Sequence, residues 1–167
     1  NEREAVVVAQ LVHRIRGNYD GRLVIITPYK RQKSKLKKAL KGTQNVVINT
    51  IDAFQGDEAD IVIYCMTRSQ HKTAYFSDNA RLNVAMSRTR NTLIVVGAMS
   101  YLYKYGESHN LGKIASYIEE NGIVLTYPEI MDPQRDWQWN LPEVSLRSEE
   151  KQKNKKVDSA SVAVQLD

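Results

Sequence analysis

Apolar residues open the chain at helical spacing. Ala5, Val8, Ala9, Val12 and Ile15 fall on one face, and Gly17 follows where a helix stops. The next run, Leu23-Val24-Ile25-Ile26-Thr27, is rich in β-branched residues and ends at Pro28, the pattern of a buried strand. Leu36 and Ala39-Leu40 provide the stretch 30–41 with an apolar side, and Gly42 closes it, so this stretch reads as a helix. Val46-Val47-Ile48 and Ile61 to Met66 are two more strands, separated by the turn-like Asp52-Ala53-Phe54-Gln55-Gly56-Asp57. Ser77-Asp78 forms an N-cap for a helix reaching Met86, and Leu93 to Gly97 is a strand. Ser100 and Ser108 are candidate caps for helices that end near Gly122, before a last short strand, Ile123-Val124-Leu125. Strands apolar on both faces and separated by helices predict an α/β domain with a parallel sheet covered on both sides.

Beyond residue 127 the pattern breaks. Residues 128–146 contain three prolines and both tryptophans, Trp137 and Trp139, without periodicity, and 147–167 is polar, charged and free of aromatic residues. The expected organisation is a domain over 1–127, an extended segment over 128–146 and a disordered tail over 147–167.

Composition changes this picture in two places. The net charge of +5 comes from 24 Lys and Arg against 19 Asp and Glu over 167 residues. Seven of the cations (Lys30, Arg31, Lys33, Lys35, Lys37, Lys38, Lys41) lie in a 12-residue stretch with no acid, and without them the remainder is −2. The basicity is local, and two readings of it stay open: a track for the phosphates of a single strand, or a solvated helix face. The lone Cys65, inside the third apolar run, has no partner for an intrachain disulfide and reads as a small buried hydrophobe. His13, His71 and His109 fit neither a metal site nor a catalytic triad. No apolar run approaches the ~18 residues of a membrane span, and no charged-then-apolar leader opens the chain. An intracellular protein is expected, cytoplasmic, or nuclear if the organism is a eukaryote. Because the chain starts at Asn1 within an apolar pattern, a piece of a longer protein is expected.

In a doubly wound sheet, ligands bind beyond the carboxyl ends of the strands. Three polar clusters are expected to converge on that edge: Thr27-Pro28-Tyr29, the segment Asn49 to Glu58, and Arg81 to Arg90. An arginine in such a place can reach a phosphate of a nucleotide held mainly elsewhere.

The segments Ile26-Thr27-Pro28-Tyr29-Lys30-Arg31-Gln32, Asn49-Thr50-Ile51-Asp52-Ala53-Phe54-Gln55-Gly56-Asp57-Glu58-Ala59-Asp60 and Arg81-Leu82-Asn83-Val84-Ala85-Met86-Ser87-Arg88-Thr89-Arg90 occur in order. They resemble motifs IV, V and VI of superfamily 1 helicases, specifically the Upf1-like group, over roughly residues 1–105. The resemblance implies the second of two RecA-like domains, of P-loop NTPase fold, in an ATP-dependent DNA or RNA helicase. It implies that Arg88 contacts the γ-phosphate, that Glu58 lies near the nucleotide ribose, and that Arg81 orients the cleft. Gln55 and Gly56 then form the turn that couples the nucleotide cleft to the strand-binding surface. Thr27, Tyr29, Thr50 and Asp52, with Lys30 at the head of the basic run, lie where relatives meet or brace the nucleic-acid backbone. ATP and Mg2+ would be held mostly by an N-terminal RecA-like domain, the expected partner along with single-stranded DNA or RNA, and movement would be 5′ to 3′ by analogy.

Two features set limits on this chain. Asp57-Glu58-Ala59-Asp60 spells the magnesium-binding tetrapeptide of many helicases, yet these acids precede an apolar run instead of following one. The Walker B reading is rejected, and no G-x-x-x-x-G-K-[ST] loop is present. The chain by itself is therefore expected to be inactive on ATP. The alternative reading is a non-catalytic nucleic-acid-binding or regulatory module that kept the fold. A metal nuclease built on Asp52, Asp57, Glu58 and Asp60 lacks a basic catalytic partner at recognisable spacing.

Overall fold

The computed structural model describes residues 1–54, 57–67, 83, 86–103, 109–135 and 160–165. The chain opens with α1 (Glu2–Asn18), β1 (Leu23–Thr27), α2 (Lys30–Ala39) and β2 (Val46–Thr50). A single 3-10 turn, Asp52–Phe54, leads towards β3 (Ala59–Cys65). There follow β4 (Thr89–Gly97), α3 (Met99–Tyr103), α4 (Asn110–Asn121), β5 (Ile123–Thr126), α5 (Tyr127–Met131) and β6 (Ala160–Gln165). All the described strand pairs are parallel, and the order across the sheet is β2-β1-β3-β4-β6-β5. The α/β class and the parallel sheet agree with the sequence pattern.

Alternation along each strand divides the core into two layers. Leu23, Ile25, Ile61, Ile63 and Cys65 face α1, α2 and α5, where Val8, Leu11, Val12, Leu36 and Ile130 meet them. Val24, Ile26, Val62, Tyr64 and Met66 face the other way, onto Ile51, Phe54 and the helices α3 and α4. β1 and most of β3 are buried on both sides, which is why they read as continuous apolar runs.

Several expected boundaries shift. β3 and β4 begin earlier than their apolar runs, at Ala59 and Thr89, because Ala59 pairs with Thr89 ahead of an irregularity in register. The next pair is Ile61 with Thr92, so β4 spends one more residue than β3 across this bulge. Gln32, not Ala39, completes the buried stripe of α2 with Leu36 and Leu40, and Ala39 is exposed. α4 is capped by His109, whose Nδ1 accepts from the Leu111 amide at 3.1 Å, and it ends at Gly122 as expected. Ser77, Asp78 and Ser108 lie outside the described residues.

The largest correction concerns the C-terminal part. Residues 127–131, expected to be extended from 128 onwards, form α5. Its capping box has Thr126 Oγ1 and the Thr126 amide both donating to Glu129. Residues 160–165, expected to be disordered, form β6 and fill the gap between β4 and β5. The sheet therefore does not end with residue 127. Trp137 and Trp139 lie outside the described residues.

Candidate functional site

Two sets of polar residues sit at opposite ends of the strands. At the amino edge, the Ala59 amide donates to the Arg88 carbonyl at 3.0 Å, which sets Glu58 beside Arg88. A helical stretch at Met86 and Ser87 gives way to a turn at Arg88, directly before β4. The Arg88 side chain is half-buried, and its Nε has no hydrogen-bond partner among the described residues. Next to it Arg90 Nε donates to Glu58 Oε2 at 2.9 Å, with both side chains about half exposed or more. The bulge in β4 falls across Arg90 and Asn91, where it turns Arg90 towards this carboxylate.

The remaining acids of this edge are occupied structurally. Asp57 pairs with the Arg22 guanidinium, and Asp60 Oδ2 accepts from the Arg22 amide at 3.0 Å. Burial and the nearby Asp60 carboxylate push the Tyr19 phenol well above its ordinary value. Asp57, Glu58 and Asp60 thus pin the start of β3 to its neighbours. Asp52 lies at the other end of the crossover, after β2. Among the described residues, no group of three or more His, Cys, Asp or Glu is placed to hold a metal ion.

At the carboxyl edge, the strand order reverses at β1, with β2 on one side and β3 on the other. This is the switch point where doubly wound sheets open a crevice. Thr27 and Thr50 end neighbouring strands and pair in register. Thr27 is fully buried, and its hydroxyl is 3.1 Å from the Thr67 hydroxyl, so Thr27 braces this edge from inside. Tyr29 and Thr50 are half-buried, whereas Lys30 and Asp52 are exposed.

Beneath this edge lies a carboxylate that the sequence reading overlooked. Glu4, only 1% exposed, accepts the Thr67 amide on both of its oxygens at 2.9 Å. Thr67 has a φ of 69°, a left-handed conformation that is strained for a β-branched residue. Burial holds the Glu4 carboxyl at about 8 against an ordinary 4.5, more than the Thr67 hydrogen bonds lower it. Glu4 was detectable in the sequence as an acid four residues before Val8 and seven before Leu11, on the apolar stripe of α1. Thr67 carried no such signal, and Arg90, although inside the motif VI segment, gave none of its pairing with Glu58.

The expected convergence on one edge is therefore corrected. Thr27, Tyr29, Lys30, Thr50 and Asp52 gather at the carboxyl edge, while Glu58 and Arg88 gather at the amino edge. Parallel strands put the end of β2 and the start of β3 at opposite edges, so the chain passes from one edge to the other between Thr50 and Ala59. Ile51 and Phe54, 4% and 1% exposed, fasten this crossover to the core. Gln55, Gly56 and Arg81 lie outside the described residues.

Comparison with known proteins bears on what this arrangement is. A family model described as an AAA domain matches residues 1–100. The chain is 34% identical over 139 residues to the DNA polymerase alpha-associated DNA helicase A of Saccharomyces cerevisiae, a match that covers 79% of this chain and 20% of that protein. It is 31% identical over 145 residues to helicase sen1 of Schizosaccharomyces pombe, covering 82% of this chain and 8% of that protein. Against the DNA replication ATP-dependent helicase/nuclease dna2 of the same yeast, identity is 33% over 134 residues, with 77% and 9% covered. The chain thus spans a fifth or less of the length of these relatives. The motif residues, the parallel α/β sheet and these matches together establish that the chain belongs to the AAA domain family, within the Upf1-like group of superfamily 1 helicases.

Proposed function

We propose that this chain is the second motor domain of an ATP-dependent DNA or RNA helicase, and that it completes a nucleotide site formed mainly by a preceding RecA-like domain. The observation that carries this reading is the amino edge, where a half-buried Arg88, its Nε without a partner among the described residues, stands beside the exposed carboxylate of Glu58. An arginine in this state fits an incoming phosphate. Its guanidinium is always charged, and its planar set of donors matches the oxygens of a transferring phosphoryl group. ATP would supply the phosphoryl group and the free energy of its hydrolysis.

Arg88 would donate to the terminal phosphate and offset the charge that builds up on it during transfer. Glu58 keeps a second carboxylate oxygen available for a sugar hydroxyl while Oε2 accepts from Arg90. Mg2+ would be held by the preceding domain, since the acids near Arg88 are engaged with Arg22, Arg90 and the start of β3. At the other edge, Tyr29, Lys30, Thr50 and Asp52 would meet the strand, braced by Thr27. The crossover between Thr50 and Ala59 then connects the two events, because Ile51 and Phe54 fasten it to a packed core that passes displacement on instead of absorbing it.

The test uses the full-length protein. Arg88→Ala is expected to lower nucleic-acid-stimulated ATP hydrolysis by roughly 10³-fold, the scale of an arginine finger, while nucleotide affinity changes by only a few-fold. Undiminished turnover would remove Arg88 from the site. A wild-type full-length protein that binds nucleic acid and never turns over ATP would favour the non-catalytic module.

A further inference from the structure

We infer that the outer face of α2 is a second nucleic-acid contact, a basic ridge that carries the strand beyond the carboxyl edge and down the flank of the sheet. The inference rests on the proposed function and extends its strand-binding surface. α2 buries Gln32, Leu36 and Leu40 along one stripe. At 100° per residue the face away from that stripe holds Lys30, Arg31, Lys37 and Lys38, and Lys41 follows just past the end of the helix, all of them exposed. The other two cations of the stretch are tied down, Lys33 to Asn49 Oδ1 at 2.9 Å and Lys35 to Glu2 at 3.0 Å. The five on the ridge make no side-chain hydrogen bond or close ion pair among the described residues, although Lys38 is near enough to Glu2 to help hold its carboxyl down.

A merely solvated face does not account for this arrangement. Exposed helices ordinarily gain from acid-base pairs at spacings of three and four, and like charges at those spacings cost a few tenths of a kcal/mol each. Within α2, Lys30 and Lys33, Lys33 and Lys37, and Lys35 and Lys38 stand one turn apart, relieved only by Asn49 at Lys33 and by Glu2 at Lys35. The first turn has no acid, so Lys30, Arg31 and Lys33 add their charge to the positive end of the helix dipole. Lys37 and Lys38 suit the last turn, but the acid-free first turn and the run of cations break local charge rules, which marks a surface shaped for a ligand. That ligand must be a polyanion long enough to touch several cations together. The helix is ~15 Å long, and a strand with ~3.4 Å per stacked phosphate sets about four phosphates along it. Lys30 begins the ridge at the edge where Thr50 and Asp52 lie. A strand bound there meets the exposed cations of α2 next along its path.

The experiment removes the far cations and leaves Lys30 in place. Full-length protein and its K37Q/K38Q/K41Q variant are titrated with single strands of about 8 and about 25 nucleotides, a range that brackets the site sizes of single-strand binders, at several salt concentrations. With the long strand, the slope of log affinity against log salt is expected to fall by about 2, near 0.7 per lost cation. With the short strand it should stay unchanged, as should the maximal ATPase rate. The variant removes only exposed charges, so its melting temperature should stay close to that of the wild type. An unaltered slope with the long strand overturns the inference and leaves an acidic protein surface as the partner for α2. Equal losses with both strands also overturn it, since the cations would then belong to the edge site. If the wild-type protein binds neither strand, the proposed function itself fails.

Discussion

Glu4 concentrates the conflict between burial and charge at one residue. Its carboxyl holds the strained Thr67 backbone in place, and through the Thr67 hydroxyl it supports Thr27. With the folded-state value near 8 and the ordinary value 4.5, the sign of its pH effect follows. Below 4.5 both folded and unfolded chains hold the proton. Between about 4.5 and 8 the unfolded chain releases it while the folded chain keeps it, so stability falls by up to about 1.4 kcal/mol for each pH unit. Glu4→Gln keeps an oxygen for the Thr67 amide and removes the titration. Urea unfolding at pH 5 and pH 8 should show a smaller loss for the variant than for the wild type. Parallel losses would mean that Glu4 is ionised in the folded protein. At this scale the sequence was only partly legible. Arg88 and Glu58 are recognisable by motif, but the pairing of Glu58 with Arg90 depends on a bulge that no residue pattern announces.

Elements were most legible where burial is two-sided, and least where polar residues lie inside a strand. β1 follows its apolar run residue for residue. The first residues of β4, Thr89-Arg90-Asn91-Thr92, fall outside the predicted strand because their strand character comes from pairing with β3 and not from their side chains. α5 shows the opposite case, a short helix settled locally. Its capping box satisfies donors of the first turn, and Arg135 adds an ion pair to Glu129. Hydrogen bonds from the Thr126 amide and hydroxyl, then Arg135, hold the Glu129 carboxyl down at about 2. Thr126→Ala removes one of these bonds and should cost about 1 kcal/mol, read as a lower urea midpoint with an unchanged slope. An unchanged midpoint would show that packing of Ile130 alone holds α5.

At the scale of the whole molecule, the order β2-β1-β3-β4-β6-β5 decides which residues become neighbours. β6 is inserted between two strands that precede it in the chain, and among the described residues it is the only strand that β5 pairs with. Truncation after Ser159 should therefore lower the melting temperature by roughly 10 °C. β5 and α5 should lose hydrogen-exchange protection while β1, β2 and β3 keep theirs. Retained protection in β5 would mean that β6 adds little to the sheet. By itself the sequence determined the α/β class, the buried strands, the family and the motif residues, because each is written in local periodicity or in a contiguous run of residue types. Tertiary structure alone decided that Glu58 and Arg88 share the amino edge while Thr50 and Asp52 take the other, and that residues 160–165 belong inside the sheet. Those outcomes depend on strand order and register, which arise from pairing between segments far apart in the chain and leave no trace in the pattern of any one of them.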